Sequence, residues 1–256
     1  MTNNDKADRP TGYQPGDYPD LTAAAVAYAL AAKGISRDQV EIGMIWAQTT
    51  DGVIGDGADM PWYLPEDLKH FKNATVGYPV VMGRTSWEAL GDEFRPLPGR
   101  TNYVITRQDG YEAPGGIVEP SIPSALANAA EQILGELGEF KDGESGTDSA
   151  TSESGADGVT SESGTNSATD ERTPTVWVLG GGQVYAQCMP VADRIVITEI
   201  DMHAPERFQV YAPKIPTEDF AEETQPWQES EKGHPVDQEV DPDNPLRYRF
   251  CTWRRR

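Results

Sequence analysis

Short apolar runs alternate with helix-forming stretches along most of this chain, and that alternation constrains the fold more than any other feature. The runs lie at Glu41 to Gln48, Pro79 to Met82, Asn102 to Thr106, Thr175 to Leu179, Arg194 to Ile200 and Arg247 to Trp253, lengths that suit strands. Between them PEDLKHFKNAT, Pro65 to Thr75, opens with proline and two acids, as a first helical turn does. Further helices are expected after Gly83, from near Pro123 and after Gly182. The pattern implies an α/β fold with a mostly parallel central sheet, helices on both faces and an antiparallel C-terminal edge added by a late hairpin. In such sheets ligands bind at the carboxyl ends of the strands, so the segments that follow the strands carry the functional interest.

Two stretches fall outside the pattern. Lys141 to Thr173, KDGESGTDSATSESGADGVTSESGTNSATDERT, is almost wholly Gly, Ser, Thr, Asp, Glu, Asn and Ala. It cannot bury enough apolar surface to offset its ordering entropy, and it reads as a disordered acidic surface insertion. Its repeated SESG is too short and too polar for a solenoid unit. Residues 1–39 read as an N-terminal extension in which DLTAAAVAYALAAKG, Asp20 to Gly34, forms an accessory helix, capped by Asp20 or Thr22 and stopped at Gly34. The remaining domain then spans 40–256, interrupted at 141–173.

The formal net charge of -21 argues against nucleic acid as a partner, because phosphate binding needs a concentrated basic surface. The acidity reads as solvated surface rather than a docking tail. The accessory helix is too short and alanine-rich to span a bilayer, and acidic residues with no basic region before the apolar run argue against a signal peptide. Cys188 and Cys251 lack redox or zinc spacing, and His70, His203 and His234 are scattered, so a reduced cytoplasmic protein without a metal site is expected.

Chemistry concentrates in three places. Asp51 to Lys72, DGVIGDGADMPWYLPEDLKHFK, begins as a Gly-rich loop that is either a lid, closed by Met60 and Trp62, or an ordinary connection. Its second half sets Asp67 in a first helical turn among Leu64, Leu68 and Phe71. That is either a functional carboxylate or a plain N-terminal acid of the kind Glu66 could also supply. His70 could pair with Asp67, but a solvent-facing ring is the preferred reading. The second place is Gly83, Arg84, Thr85, Ser86 and Trp87 after one strand, with Thr106, Arg107 and Gln108 after the next. Both suit phosphates, including an extra one such as the 2'-phosphate of NADPH, or are surface arginines with ordinary caps. The third is VWVLGGGQVY, Val176 to Tyr185, a buried strand entering consecutive glycines. It lacks the spaced glycines of the dinucleotide fingerprint and, alone, is also consistent with a generic turn.

Taken together, IWAQ at Ile45 to Gln48, PWYLPEDLKHFK, VVMGRTSW, RPLPGRTN, TRQ, LGGGQVY and VITEID resemble bacterial dihydrofolate reductases, with an actinobacterial flavour, in motif, order and separation. The resemblance covers roughly Val40 to Ala212 without the insertion, plus LRYRFCTW. It implies a single-domain dihydrofolate reductase fold and NADPH-dependent reduction of dihydrofolate. The expected setting is a cytoplasmic monomer that also binds antifolate inhibitors and supplies one-carbon metabolism. By resemblance, Asp67 meets the pterin's amino group and ring nitrogen, supported by Thr198, with Trp62 restricting water. Ile45, Trp46, Leu68, Phe71, Leu90, Leu97, Leu179 and Tyr185 fall on the folate pocket or the adjoining nicotinamide site. Arg100 pairs with the α-carboxylate of the glutamate tail. For the cofactor the resemblance implies Ala47, Ile54, Gly55 and Met60 at the nicotinamide side and Gly83 to Ser86 at the phosphates. It adds Thr106, Arg107 and Gln108 at the adenosine end, and the run Leu179, Gly180, Gly181, Gly182, Gln183, Val184 and Tyr185, with a cis bond between Gly180 and Gly181.

The chain departs from the family at three points. Gln183 stands where some bacterial members carry Arg, so a 2'-phosphate leans on Arg84 and Arg107. MHAPERFQVYAP, after Asp201, lacks the common Asp-Thr-x-Phe-Pro stretch, which puts the brace of the lid in question. The insertion lies where a short connection is usual. Two other readings are a reductase of the riboflavin pathway, which would leave WYLPEDLKHF and PLPGR unexplained, and an inactive folate- or nucleotide-binding module.

Overall fold

The computed structural model describes residues 19–143 and 173–256. The expected disorder of the insertion and the polar start of the chain fall outside the described residues, apart from the ends of the insertion. In chain order the elements are α1 (Pro19–Ala31), β1 (Glu41–Thr49), β2 (Val53–Gly55), β3 (Trp62–Tyr63), α2 (Pro65–Thr75), β4 (Val80–Gly83), α3 (Arg84–Ala89), β5 (Asn102–Ile105), β6 (Ile117–Glu119) and α4 (Ile122–Gly143). They continue with β7 (Thr175–Val178), α5 (Gly182–Cys188), β8 (Arg194–Ile200), β9 (Val210–Tyr211), β10 (Phe220–Thr224), β11 (Gln228–Glu229), β12 (His234–Pro235) and β13 (Arg247–Arg255).

The main sheet runs β10-β13-β8-β1-β7-β4-β5-β6, with β11 also paired to β13. From β8 to β6 every pairing is parallel, while β13 joins β8 and β10 antiparallel. This is the expected α/β sheet with its antiparallel C-terminal edge. Alternation along β1 divides the core between the two faces. Ile42, Met44 and Trp46 join a cluster with Val26 and Leu30 of α1, Leu126 and Ile133 of α4, and Cys188. Ile45 joins Val80, Met82, Val104 and Val196 beneath Trp87 of α3, with Phe71 of α2 packed against them. Gly43 is required by this packing, because a Cβ there would lie 2.7 Å from the Trp177 ring.

Helix α1 begins one residue before the stretch expected from Asp20 to Gly34 and ends three residues short of it, and Val26 and Leu30, one turn apart, are 0% and 1% exposed. Lys33, just beyond it, pairs with Glu131 of α4 at 2.5 Å. The extension's helix is therefore part of the same core as the sheet. Helix α4 runs to Gly143, so Lys141 to Gly143 continue a helix rather than open the insertion. The leucines explain the length: Leu134 and Leu137 both reach the core, and Gly135 and Gly138 face open space. The strands missed from sequence, β2, β3, β6 and β9 to β12, are five residues or shorter.

Candidate active site

At the carboxyl end of β1, the first turn of α2 faces β8. Leu64 precedes Pro65, which occupies a helical position that needs no N–H donor, and Glu66 and Asp67 complete the acidic turn. Asp67 is half-buried, and Thr198, 1% exposed on β8, hydrogen-bonds its carboxyl. Burial pushes the Asp67 carboxyl up to about 6, against the lowering effect of Thr198. Thr198 stands opposite Ala47 on β1 and Phe250 on β13. Behind it Tyr185 donates to the Ile45 carbonyl at 2.7 Å, and burial, with the Asp67 charge adding to it, drives the phenol far above its usual range. This pair ties α5 to β1 beside the carboxylate.

Ile45, Leu97, Phe71, Leu90 and Leu179 share one apolar cluster, which forms the adjoining wall. Trp46 points to the opposite face, its ring centroid 4.9 Å from Tyr185 and its Nε1 donating to Gln48 at 2.8 Å. Leu68 is exposed. Arg100 lies at the far end of α2, its guanidinium donating to Thr75 Oγ1 at 2.8 Å and lying 5.5 Å from the Phe71 ring centroid. Desolvation lowers its pKa, and among the described residues no carboxylate lies within ion-pair distance of it. A partly desolvated, unpaired guanidinium is suited to a carboxylate from outside.

Asn102 presents that arginine. Its Nδ2 donates to the carbonyls of Leu97 at 3.1 Å and Arg100 at 2.9 Å, and its Oδ1 accepts from Leu97 N at 3.0 Å. At 1% exposure it folds the PLPGR loop from inside. The last residue of RPLPGRTN was legible in the motif, but its role needed the loop's closure.

The Gly-rich loop is bounded by two short pairings. β2 pairs with β9, and β3 pairs with β12. MHAPERFQVYAP thus supplies a brace, β9, despite its departure from the family stretch. At the tip the Asp56 carboxylate accepts from Ala58 N at 2.9 Å and Asp59 N at 2.8 Å. Gly55 at φ +147 is required there, since a Cβ would meet the Asp59 carbonyl oxygen at 2.5 Å. Met60 is 42% exposed, whereas Trp62 is 5% exposed with its buried Nε1 unpartnered among the described residues.

The glycine triplet lies opposite Gly83, whose N donates to the Gly180 carbonyl at 2.7 Å, and the Gly180-Gly181 bond is cis. A Cβ on Gly180, φ +116, would lie 3.0 Å from the Tyr185 ring, and one on Gly181 would lie 3.2 Å from Ser86 Oγ. On Gly182 a Cβ would press on the Tyr211 carbonyl at 3.3 Å and reach Ile54 at 4.0 Å. Val184 Cγ2 closes the far side, 3.2 Å from a Cβ on Gly83. These contacts leave little room for a side chain at Gly83, Gly180, Gly181 or Gly182, so bare main-chain segments lie against one another beside Ile54, Ser86 and Val184. Beside these glycines Arg84 Nη1 donates to both carboxylate oxygens of Glu88, at 2.9 and 2.7 Å. Thr85, Arg107, Gln108 and Gln183 are exposed, and Thr106 Oγ1 accepts from Gln108 N at 3.1 Å.

His70 is a correction. Its ring stacks on Phe250 with centroids 4.0 Å apart, Nε2 is buried, and burial lowers its pKa, so the side chain does not face solvent. The final strand β13 brings Phe250 there, a contact that local sequence could not carry. Cys188 and Cys251 are free and buried; burial pushes the Cys188 thiol up to about 12 and also raises that of Cys251. Among the described residues no helix is long and apolar enough to cross a membrane.

The family model described as dihydrofolate reductase matches residues 41–137 and 147–255. A dihydrofolate reductase of Mycobacterium tuberculosis (strain CDC 1551 / Oshkosh) is 35% identical over 215 residues, covering 84% of this chain and 98% of that protein. That of Mycobacterium leprae (strain TN) is 36% identical over 162 residues, covering 63% of this chain and 73% of that protein. Among solved structures, a dihydrofolate reductase from Enterococcus faecalis complexed with NADP(H) and RAB-propyl superposes with a TM-score of 0.55 at 25% identity, covering 84% of this chain and 96% of that one. The sheet order, the residues gathered at the strand ends and these alignments lead to one assignment: the chain belongs to the dihydrofolate reductase family.

Proposed function

We propose that this protein reduces 7,8-dihydrofolate to 5,6,7,8-tetrahydrofolate with NADPH, and that Asp67 is the residue on which substrate binding turns. The observation that carries the reading is a carboxyl among apolar side chains, at a helix head, hydrogen-bonded by a buried Thr198 and held up to about 6. Such a group meets a pterin's amino and ring N–H donors, and its protonation responds to whether those donors are present.

Gly83, Ser86, Gly180, Gly181 and Gly182 would hold the cofactor's phosphates and nicotinamide ribose, with Ala47, Ile54, Gly55 and Met60 at the ring. Arg84, Thr85, Thr106, Arg107, Gln108 and Gln183 would lie toward the adenosine. The side-chain-free main chain of Gly180 to Gly182 at the head of α5 supports that fit. When bound, NADPH supplies the hydride.

The chain's own residues position and shield. Asp67 binds and polarises the pterin, Thr198 orients its carboxyl, and Trp62 with Met60 restricts water near the ring nitrogen, which takes its proton from water. Ile45, Leu97, Phe71, Leu90 and Leu179 pack the ring and its linker, with Leu68, Trp46 and Tyr185 behind or beside them. Arg100 pairs with the substrate's α-carboxylate. Holding two reactants in register in this way is the protein's main contribution to rate.

Antifolates that present the same donors to Asp67 are expected ligands. The protein is read as a cytoplasmic monomer, and its two buried, free cysteines suit that reducing compartment. Residues 1–39 act as an extension whose helix α1 joins the core of the domain spanning 40–256, and the acidic stretch after α4 acts as an insertion in that domain. The test is absorbance at 340 nm with purified protein, NADPH and dihydrofolate, with NADH as control. Dihydrofolate-dependent loss of NADPH, largely abolished by Asp67→Asn, is the expected result. NADPH binding without turnover would favour a riboflavin-type reductase or a binding module instead.

A further inference from the structure

Residues 225–245, between β10 and β13, belong to no motif of the family resemblance, yet they grip the wall that carries Trp62 and Asp67. Ser230, 1% exposed, donates its hydroxyl to the Glu66 carboxylate, 2.9 and 2.8 Å from its two oxygens. The same Oγ accepts from Gly233 N at 2.7 Å and Lys232 N at 3.3 Å. The turn is packed so closely that a Cβ on Gly233 would lie 2.7 Å from Ser230 Oγ and 2.9 Å from Leu64 Cδ1.

From this turn the chain enters β12, where His234 stands opposite Tyr63 and Pro235 opposite Trp62. Val236 N then donates to the Pro61 carbonyl at 3.0 Å. Leu246 and Tyr248 share a buried cluster with Trp62 and Leu64. A two-residue pairing is marginal by itself, whereas a buried hydroxyl on a carboxylate is among the stronger hydrogen bonds a side chain makes. Glu66 is therefore the firm point of the grip, and it immediately precedes Asp67.

We infer that Ser230 and Glu66 form a clasp that positions Trp62 and Asp67 for the pterin, which makes Ser230 a positioning residue for the reduction. The clasp makes the back of the Gly-rich loop, from Pro61 onward, a fixed wall, and leaves closure to the Gly55 to Met60 tip. A wall displaced by less than an ångström costs about tenfold in rate, because only near-attack geometries react. The inference rests on the proposed roles of Trp62 and Asp67.

The experiment compares steady-state kinetics and NADPH binding of the full chain with those of Ser230→Ala, Ser230→Thr, Glu66→Gln, Trp62→Phe and the Ser230→Ala/Trp62→Phe double variant. Ser230→Ala is expected to lower kcat about tenfold while the NADPH Kd stays within twofold. Ser230→Thr, which restores the hydroxyl, recovers most of the loss, and Glu66→Gln, which keeps an acceptor, loses less than threefold. In the Trp62→Phe background the serine effect shrinks at least threefold, because residues that act through one another are not additive. A general loss of structure would instead add fully and weaken NADPH binding in parallel, which would overturn the inference, as would wild-type kcat in Ser230→Ala. If Ser230→Ala does not fold, Glu66→Gln and Ser230→Thr decide: wild-type-like threonine activity with a small glutamine effect supports the clasp, and a collapse of both with intact NADPH binding refutes it. Should Trp62→Phe and Asp67→Asn both retain full turnover, the site reading fails and not the clasp alone.

Discussion

The two ends of the proposed site are built on opposite principles. At the proposed pterin end Ile45, Trp62, Leu97 and Thr198 are all 6% exposed or less, and each is locked by the sheet or by the helix packed on it. At the proposed adenosine end Arg107 and Gln108 are exposed, and the Arg84 guanidinium is engaged, among the described residues, by Glu88 and by the Tyr111 ring, 6.0 Å from its central carbon. A buried site is preorganised by the core, so each substitution there should have a large effect that salt barely alters. Surface pairs are worth about 0–1 kcal/mol and are screened, so changes at the rim should be small and salt-dependent.

Asp67→Asn should give the largest effect. Turnover with dihydrofolate falls by roughly two orders of magnitude or more, while NADPH affinity stays within about twofold. Stability moves the other way. A carboxyl raised from 3.8 to about 6 favours the folded state when protonated, so its stabilising contribution is complete below 3.8 and is lost as pH rises through 6. Above that pH the wild type carries an ionised, half-buried group at a cost of at most about 3 kcal/mol, less whatever solvent relieves. The Asn variant should therefore melt higher than wild type at pH 8, with the gap closing toward pH 4. Equal melting points at pH 8 would remove burial as the organising feature of this end.

Arg100→Gln should come next, raising the KM for dihydrofolate about 10- to 100-fold with kcat within twofold. A charge-assisted bidentate contact is worth about 1.5–3 kcal/mol and acts equally on ground and transition states. A collapse of kcat instead would move Arg100 from anchoring to chemistry. Asn102→Ala tests whether the anchor must be presented. Losing a buried side chain with hydrogen bonds to Leu97 and Arg100 should lower stability by about 2 kcal/mol and raise the same KM a few-fold, read from a melt and a substrate titration.

How much of each region could be read in advance follows from how local its determinants are. Helix α2 matches its expected bounds because Pro65, Glu66 and Asp67 mark its start within the chain itself. The parallel sheet was readable because its longer strands are nearly continuous apolar runs. His70 was misjudged because its partner, Phe250, lies on the last strand, and the same distance hid the Ser230 turn beneath Glu66. Trp46 sits on the opposite face of β1 from Ile45, which strand alternation required and the motif alone obscured. The extent of α4 was underestimated because low-complexity composition begins before the helix ends. At the rim, Arg84 was legible as a basic residue near a phosphate site, but its engagement by Glu88 depends on side-chain geometry that spacing only permits.

That engagement yields the smallest and most discriminating prediction. Both Glu88 carboxylate oxygens accept from Arg84 Nη1, and the carboxylate also takes a hydrogen bond from the Tyr111 hydroxyl, so an anionic group reaching that face of Arg84 must displace a carboxylate already in place. An exposed pair four residues apart is worth about 0.3–0.5 kcal/mol, which sets the competition at roughly twofold. Glu88→Gln should therefore tighten NADPH by about that factor at low salt, leave NADH unchanged because it lacks the 2'-phosphate, and lose the gain at about 0.5 M salt. Fluorescence titrations with both cofactors at two ionic strengths read it directly. A gain shared by NADH would mean that Glu88 repels the whole cofactor rather than competing for Arg84. A gain that survived salt would mean that Arg84 is screened no more than the pterin end, and the contrast between the two ends would fail.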